Sequence, residues 1–248
     1  MGGRNPRFTF LYFWRRLRLC RTQMAKPLQF LHITKCAGTS LENWGRKNGF
    51  KWGRFFKGAI GQLKSPHENG LRSERHHVPP SFFVENPYAS YDLFVVVRDP
   101  FDRAISEFRC PWKGFRAPAK TKEARDQRAN ATKEDLNNWL SDRMGKMRAP
   151  FKTCHLIPQS AYIFDESDNA VIPAERILKF ENLTEDLTRL CAEIGLPEMK
   201  LVHANASEMP FFDYHSLTEE VRNLLRLAYA RDFELLSYSQ RAETSQRL

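Results

Sequence analysis

The segment Tyr91-Asp-Leu-Phe-Val-Val-Val-Arg-Asp-Pro100 constrains the fold more than any other stretch of the chain. Its apolar residues run from Leu93 to Val97 without alternation, so both faces of the strand need cover, as in a parallel sheet between helices. The run stops at Asp99-Pro100, a cap residue followed by proline at the first helical position, and a helix is predicted through Phe-Asp-Arg-Ala-Ile-Ser-Glu-Phe. A buried parallel strand that ends in such a turn puts a ligand at its carboxyl end.

A second unit of this kind precedes it. Leu28 to Ile33 is a short apolar run, residues 34–40 form a Lys/Gly/Thr/Ser turn, and residues 40–47 read as a helix. The turn has the residue types of a nucleotide-triphosphate loop in the wrong order. That loop is G-x-x-x-x-G-K-[ST], whereas Lys35 comes before the single glycine, Gly38. Gly38 lets the backbone approach a ligand, the N–H groups of Cys36, Ala37, Gly38, Thr39 and Ser40 are expected to point inward, and the following helix presents its positive end. Lys35 adds a mobile charge, and Thr39 and Ser40 add hydroxyls. In the later unit, Arg98 ends the strand and Ser106 lies eight residues on, along the helical stripe of Asp99 and Asp102 or Arg103. A guanidinium and a hydroxyl so arranged hold a phosphate together; the competing expectation for Arg98 is an ion pair with Asp99 or Asp102.

Elsewhere the signals are coarser. Residues 48–90, rich in Gly, Pro, His and aromatics, read as loops, and residues 111–131 as a basic loop. Thr132-x-x-Asp135 opens an amphipathic helix, residues 175–183 contain a strand, the next helix stops at Gly195, and Ser216-x-x-Glu219 is expected to cap a last helix. Strands alternating with helices predict a three-layer α/β domain with a central parallel sheet, spanning residues 27–240 as one domain between a basic leader (1–26) and a tail (241–248).

The net charge of +10 favours an anionic ligand. Nucleic acid is not expected, because the positive residues are dispersed and no RNP, zinc-finger or basic-zipper pattern is present. Five cysteines without a C-x-x-C pair argue against a zinc site or a dense disulfide scaffold, leaving one bridge, Cys110 to Cys154, as an option. At the N-terminus only Phe8 to Trp14 are apolar or nearly so before a basic cluster, far short of the ~20 residues a membrane span needs. Peripheral membrane contact through this basic segment is the alternative to a plain leader. Sequons at Asn130, Asn182 and Asn205 permit glycosylation in a secretory compartment.

Together the two turns resemble those of the PAPS-dependent sulfotransferases. His32-Ile33-Thr34-Lys35 through Thr39-Ser40 is similar to the family's 5′-phosphosulfate loop, H-I-P-K-x-x-x-T-S, with Thr34 in place of the usual proline. Arg98, Asp99, Pro100, Arg103 and Ser106 meet its 3′-phosphate motif, R-D-P-x-x-R-x-x-S. The closer likeness is to Golgi carbohydrate sulfotransferases of the heparan 2-O type and their algal and protist relatives, and it extends over roughly residues 28–238 through His76-His77-Val78-Pro79-Pro80 and the Cys154-to-Phe164 segment. The resemblance implies a P-loop-like sulfotransferase fold and PAPS as sulfuryl donor. It also implies a hydroxyl-bearing acceptor, in all expectation a carbohydrate, and a Golgi setting, with the cytoplasm as the alternative since this chain carries no evident anchor. The family's base precedes the RDP arginine by a little over twenty residues; His77 fits best and His76 is second. Lys35 is expected to offset charge on the leaving phosphate, Lys35, Cys36, Ala37, Gly38, Thr39, Ser40, Arg98 and Ser106 to hold the cofactor, and Gln159 and Tyr162 to line the pocket. A sulfuryl group carries less negative charge than a γ-phosphoryl group, so no catalytic metal is expected. The alternatives are a small-molecule kinase, which would want Gly-Lys-[Ser/Thr] and a metal-binding aspartate, and a non-catalytic module for anionic glycans, which would not need His77.

Overall fold

In the computed structural model, residues 26–59, 62–64, 74–146, 153–201 and 209–241 are described. Apart from Lys26 and Arg241, the leader and tail expected at the ends lie outside them. Three parallel strands, β1 (Leu28–Leu31), β2 (Asp92–Val97) and β3 (Ile177–Lys179), pair in the order β1-β2-β3. Leu28 faces Asp92 and Leu31 faces Val95 on one side, while Val95 faces Ile177 and Val97 faces Lys179 on the other. This register brings the residues that follow Leu31, Val97 and Lys179 to one carboxyl edge. Among the described residues the α-helices are α1 (Gly38–Lys47), α2 (Pro100–Phe108), α3 (Lys122–Ala129), α4 (Lys133–Gly145), α5 (Ser160–Ile163), α6 (Leu183–Ile194), α7 (Glu219–Ala228) and α8 (Ala230–Leu235).

Two apolar clusters build the core. Phe30, Leu31, Phe94 to Val97 and Leu178 of the sheet pack with Leu41 of α1 and Leu187, Leu190 and Ile194 of α6. Phe101, Ala104, Ile105 and Phe108 of α2 pack with Leu136 and Leu140 of α4, Val221 and Leu225 of α7, and Phe233 of α8. A buried side chain of this size contributes about 1.5–3 kcal/mol, more than the net ~0.5–1.5 kcal/mol of a hydrogen bond. The apolar clusters therefore carry the stability, which leaves the polar groups at the carboxyl edge to fix geometry.

Several local expectations match the structure. Asp99 caps α2 by accepting from the amides of Phe101 (2.9 Å) and Asp102 (3.1 Å), with Pro100 at the first helical position. Thr132 and Asp135 form a reciprocal capping box on α4. Gly195 ends α6 at φ 68°, a left-handed conformation that costs glycine nothing.

Three others need correction. The supposed loop at 111–131 contains α3, capped by Thr121; none of its residues is buried, so it has no apolar stripe to read. Thr218, and not Ser216, caps α7, because Ser216 is already used in its own capping box with Asp213. The strand read at 175–183 shrinks to Ile177–Lys179. Asp186 takes the Lys179 amide at 2.8 Å, and Phe180–Asn182 turns as a 3-10 helix.

The polar network starts from Asp232 of α8, which is fully buried and accepts from the amides of Gln159 and Ser160, both at 2.8 Å. These are orphan donors at the start of α5. Asp232→Ala leaves two buried amides unpaired at about 1–3 kcal/mol each, so urea unfolding should show a loss of about 2–5 kcal/mol. Asp142→Ala, which breaks an exposed pair with Lys146, should cost less than about 1 kcal/mol.

Candidate functional site

The turn after β1 is held in an unusual backbone shape. Lys35 and Ala37 both adopt left-handed conformations, φ 67° and 59°, which in non-glycine residues store about 1–3 kcal/mol of strain and mark a geometry fixed by its surroundings. Such a turn makes a concave run of N–H groups suited to an anion. The Ser40 amide does not join that run, because it bonds the Ala37 carbonyl at 3.0 Å. Gly38 is required for a reason the motif does not reveal: a Cβ there would lie 1.9 Å from Nε2 of His32.

Gln159 ties this turn to the end of β2. Its Oε1 accepts from the Arg98 amide at 2.8 Å and from the Cys36 thiol at 3.4 Å, and its Nε2 donates to the Arg98 carbonyl at 2.8 Å. Arg103 makes a second tie, with Nε donating to the Thr34 carbonyl and a terminal nitrogen to Thr34 Oγ1, each at 3.2 Å. A proline at position 34 would keep the carbonyl contact but remove the hydroxyl. Asp99 and Asp102 are engaged by Arg241, at 2.9 and 3.8 Å, so Arg98 has no carboxylate partner among the described residues. Its guanidinium lies 4.2 Å from the centre of the Phe180 ring and 3.4 Å from the Lys35 carbonyl, and its buried Nε has no partner.

A cleft of about 660 Å³ opens between the two turns, lined among others by Lys35, Gly38, Thr39, Ser40, His77, Arg98 and Ser106. A neighbouring cavity of about 1110 Å³ shares Lys35, Arg98, Ser106 and the exposed Trp112, and adds Arg109, Arg125, Arg128 and Arg241 alongside Asp102 and Asp213. Arg109 also has a buried Nε without a partner. Burial, and then the neighbouring charge of Arg98, hold its pKa below the usual guanidinium value. Two close guanidiniums with unused donors are what a doubly charged anion would relieve.

Four histidines gather at this edge. His32 donates from Nδ1 to the buried Oε1 of Glu42 at 2.6 Å, and the same nitrogen lies 3.2 Å from Nε2 of His77. Burial alone would raise the Glu42 pKa, but the hydrogen bond and charge of His32 hold it below the ordinary range. Burial, with His32, His76 and His155 nearby, pushes His77 well below its ordinary value, which keeps its ring neutral. His76 is pushed down to about 4, first by burial and then by His32. It sits 3.8 Å from Glu42 and is not part of the cleft wall, whereas His77 is.

Gln159 and Tyr162 stand behind the wall rather than in it. Both are almost fully buried; Tyr162 donates its hydroxyl to the His77 carbonyl, so it positions the histidine turn as Gln159 positions Arg98. The Cys36 side chain likewise points away from the cleft, and burial pushes its thiol up to about 11. Cys110 and Cys154 are both thiols, not a bridge. Trp139 and Phe115 pack on Phe108, whereas Trp112 lines the cleft together with Phe180. Sequence reading missed Arg109, Glu42, and the pair formed by His155 Nδ1 and Glu107 Oε2 at 2.8 Å. Glu42 and Glu107 did leave a trace: each is a carboxylate set among the apolar positions of a helix, where burial demands a partner.

The family model described as Sulfotransferase family matches the chain over residues 20–239. No curated protein and no solved structure matches it.

Gln159→Leu keeps most of the side-chain volume and removes the tie between the turns. Calorimetry with adenosine 3′,5′-bisphosphate should show affinity falling by about tenfold or more, the equivalent of ~1.4 kcal/mol, while circular dichroism shows the fold retained.

Proposed function

This chain belongs to the sulfotransferase family, and on that premise we propose that it moves a sulfuryl group from PAPS to a carbohydrate hydroxyl, with His77 as base. The observation that carries this reading is the convergence of three features on one cleft: the strained turn at 35–39, the Arg98 guanidinium with its unpartnered Nε and no carboxylate among the described residues, and the neutral His77.

The residues present fit such a donor. The amides before Ser40, with Lys35, Thr39 and the Ser40 hydroxyl, suit a 5′-phosphosulfate; Arg98, Arg109 and Ser106 suit a 3′-phosphate, and the orphaned Nε atoms of the two arginines want an acceptor. Bound there, the donor supplies a sulfuryl group activated by a phosphate leaving group. Lys35 brings a positive charge to offset the negative charge that develops on that phosphate. His77 takes the proton of the acceptor hydroxyl. The buried Glu42 carboxylate fixes the His32 ring, and with the Tyr162 hydroxyl on the His77 carbonyl it orients the base from two sides.

A carbohydrate acceptor is supported by Trp112, which is 72% exposed at the mouth shared by both cavities and offers a flat face to a sugar ring. The exposed sequons at Asn130 and Asn182 favour a lumenal, Golgi-type setting. The kinase reading is weakened by the order of the turn, in which Lys35 precedes Gly38 and no Gly-Lys-[Ser/Thr] run occurs, and the binding-module reading leaves His77 without a purpose.

Incubation with ³⁵S-labelled PAPS and a panel of glycans should give labelled product in the presence of EDTA, and none should form from ATP. His77→Ala should lower turnover by about 10²–10⁴-fold, with affinity for adenosine 3′,5′-bisphosphate unchanged by calorimetry. Wild-type turnover in that variant would remove His77 from its role.

A further inference from the structure

Cys154 and His155 lie on the wall of the cleft facing His77, and no step of the transfer reaction uses them. Donor atoms of His77, Cys154 and His155 all lie within 4.8 Å of one another, and a second such group, Glu107, Cys110 and His155, shares the last residue. Two imidazoles and a thiol form a borderline-soft donor set, which selects zinc or a similar transition ion over magnesium or calcium. The Glu107 carboxylate on Nδ1 of His155, at 2.8 Å, fixes that ring and leaves Nε2 as its metal-binding nitrogen. A carboxylate behind a histidine is the usual outer support of a zinc ligand. The site borders an open cleft, so three protein donors would leave a fourth position to water. Zinc bond lengths of roughly 2.0–2.3 Å require the three donors to draw in by about an ångström. They come from short 3-10 turns, Arg75–His77 and Cys154–Leu156, and not from the interior of a long helix or strand.

We propose that His77, Cys154 and His155 form a binding site for a thiophilic divalent ion such as Zn²⁺, and that occupancy of this site stops turnover by taking up the lone pair of His77. Binding releases the Cys154 thiol proton to solvent, forms the metal–thiolate bond and needs no redox partner. The existence of the site is independent of the transfer reaction; its effect on turnover rests on His77 being the base.

The test uses the full chain, with reduced thiols, titrated with Co²⁺ and then Zn²⁺. One equivalent of Co²⁺ should produce near-ultraviolet thiolate-to-cobalt absorption together with the intense visible bands of a tetrahedral ion, and Zn²⁺ should abolish both. Cys154→Ser should lose the thiolate absorption, and its transfer activity without metal should persist while the Zn²⁺ needed for half-inhibition rises by about tenfold or more. Should that variant fail to fold, His155→Gln, at a half-buried position, should raise the Zn²⁺ requirement similarly, with folding checked by nucleotide binding. Absence of thiolate–cobalt absorption in the wild type, or equal Zn²⁺ inhibition of wild type and variants, overturns the site. If the absorption behaves as expected but the protein transfers no sulfuryl group, the site stands and the assigned reaction falls.

Discussion

The side-chain amide of Gln159 is the interaction on which the site depends. It closes both backbone groups of Arg98 in the manner of a neighbouring strand, takes the Cys36 thiol on the same oxygen, and is itself held through its own amide by the buried Asp232. Arg103 adds the second tie by gripping Thr34. Through these contacts two turns that follow different strands, with Thr34 and Arg103 69 residues apart in sequence, become one rigid edge. Rigidity matters because the turn at 35–37 is strained. Left unsupported, Lys35 and Ala37 would relax out of the left-handed region, and the concave run of amides would go with them.

The histidine cluster shows the same economy of support. Neutral imidazole is a poor fit to a fully apolar site and a good fit to a buried one with a partner for each nitrogen. Glu42 supplies that partner to His32, and Glu107 supplies it to His155. His77 stands between the two, with a lowered affinity for its proton that comes first from burial. The arrangement keeps the His77 ring uncharged beside a strongly cationic cavity. His32, His76 and His155 act on His77 in the same direction as its burial.

Much of this architecture was legible in the sequence because it is written in local signals. The unalternating run at 93–97 specifies a buried parallel strand, Asp99-Pro100 a helix start, Thr132-x-x-Asp135 a capping box, and the turns after Leu31 and Val97 lie where strand–turn–helix units put them. What escaped is what tertiary contacts decide. A helix without a buried face, α3, has no periodicity to read. Ser216 has the chemistry of a cap but is drawn into a turn with Asp213, and nothing in the local sequence ranks Thr218 above it. Gln159 and Tyr162 are expected from the sequence to line the pocket, whereas the fold buries both behind its wall, against the Arg98 backbone and the His77 carbonyl. Cys110 and Cys154 differ in the same way: their pairing is a question of where α2 ends relative to the turn at 154–156, which spacing along the chain does not encode.

The account is tested most directly by a crystal structure of the protein with adenosine 3′,5′-bisphosphate. It predicts one phosphate on the amides between Cys36 and Thr39 with Lys35 alongside, and the other on Arg98, Arg109 and Ser106, the nucleotide thereby spanning the edge that Gln159 holds together. A nucleotide bound elsewhere, or bound with Arg98 turned away from both phosphates, would contradict it.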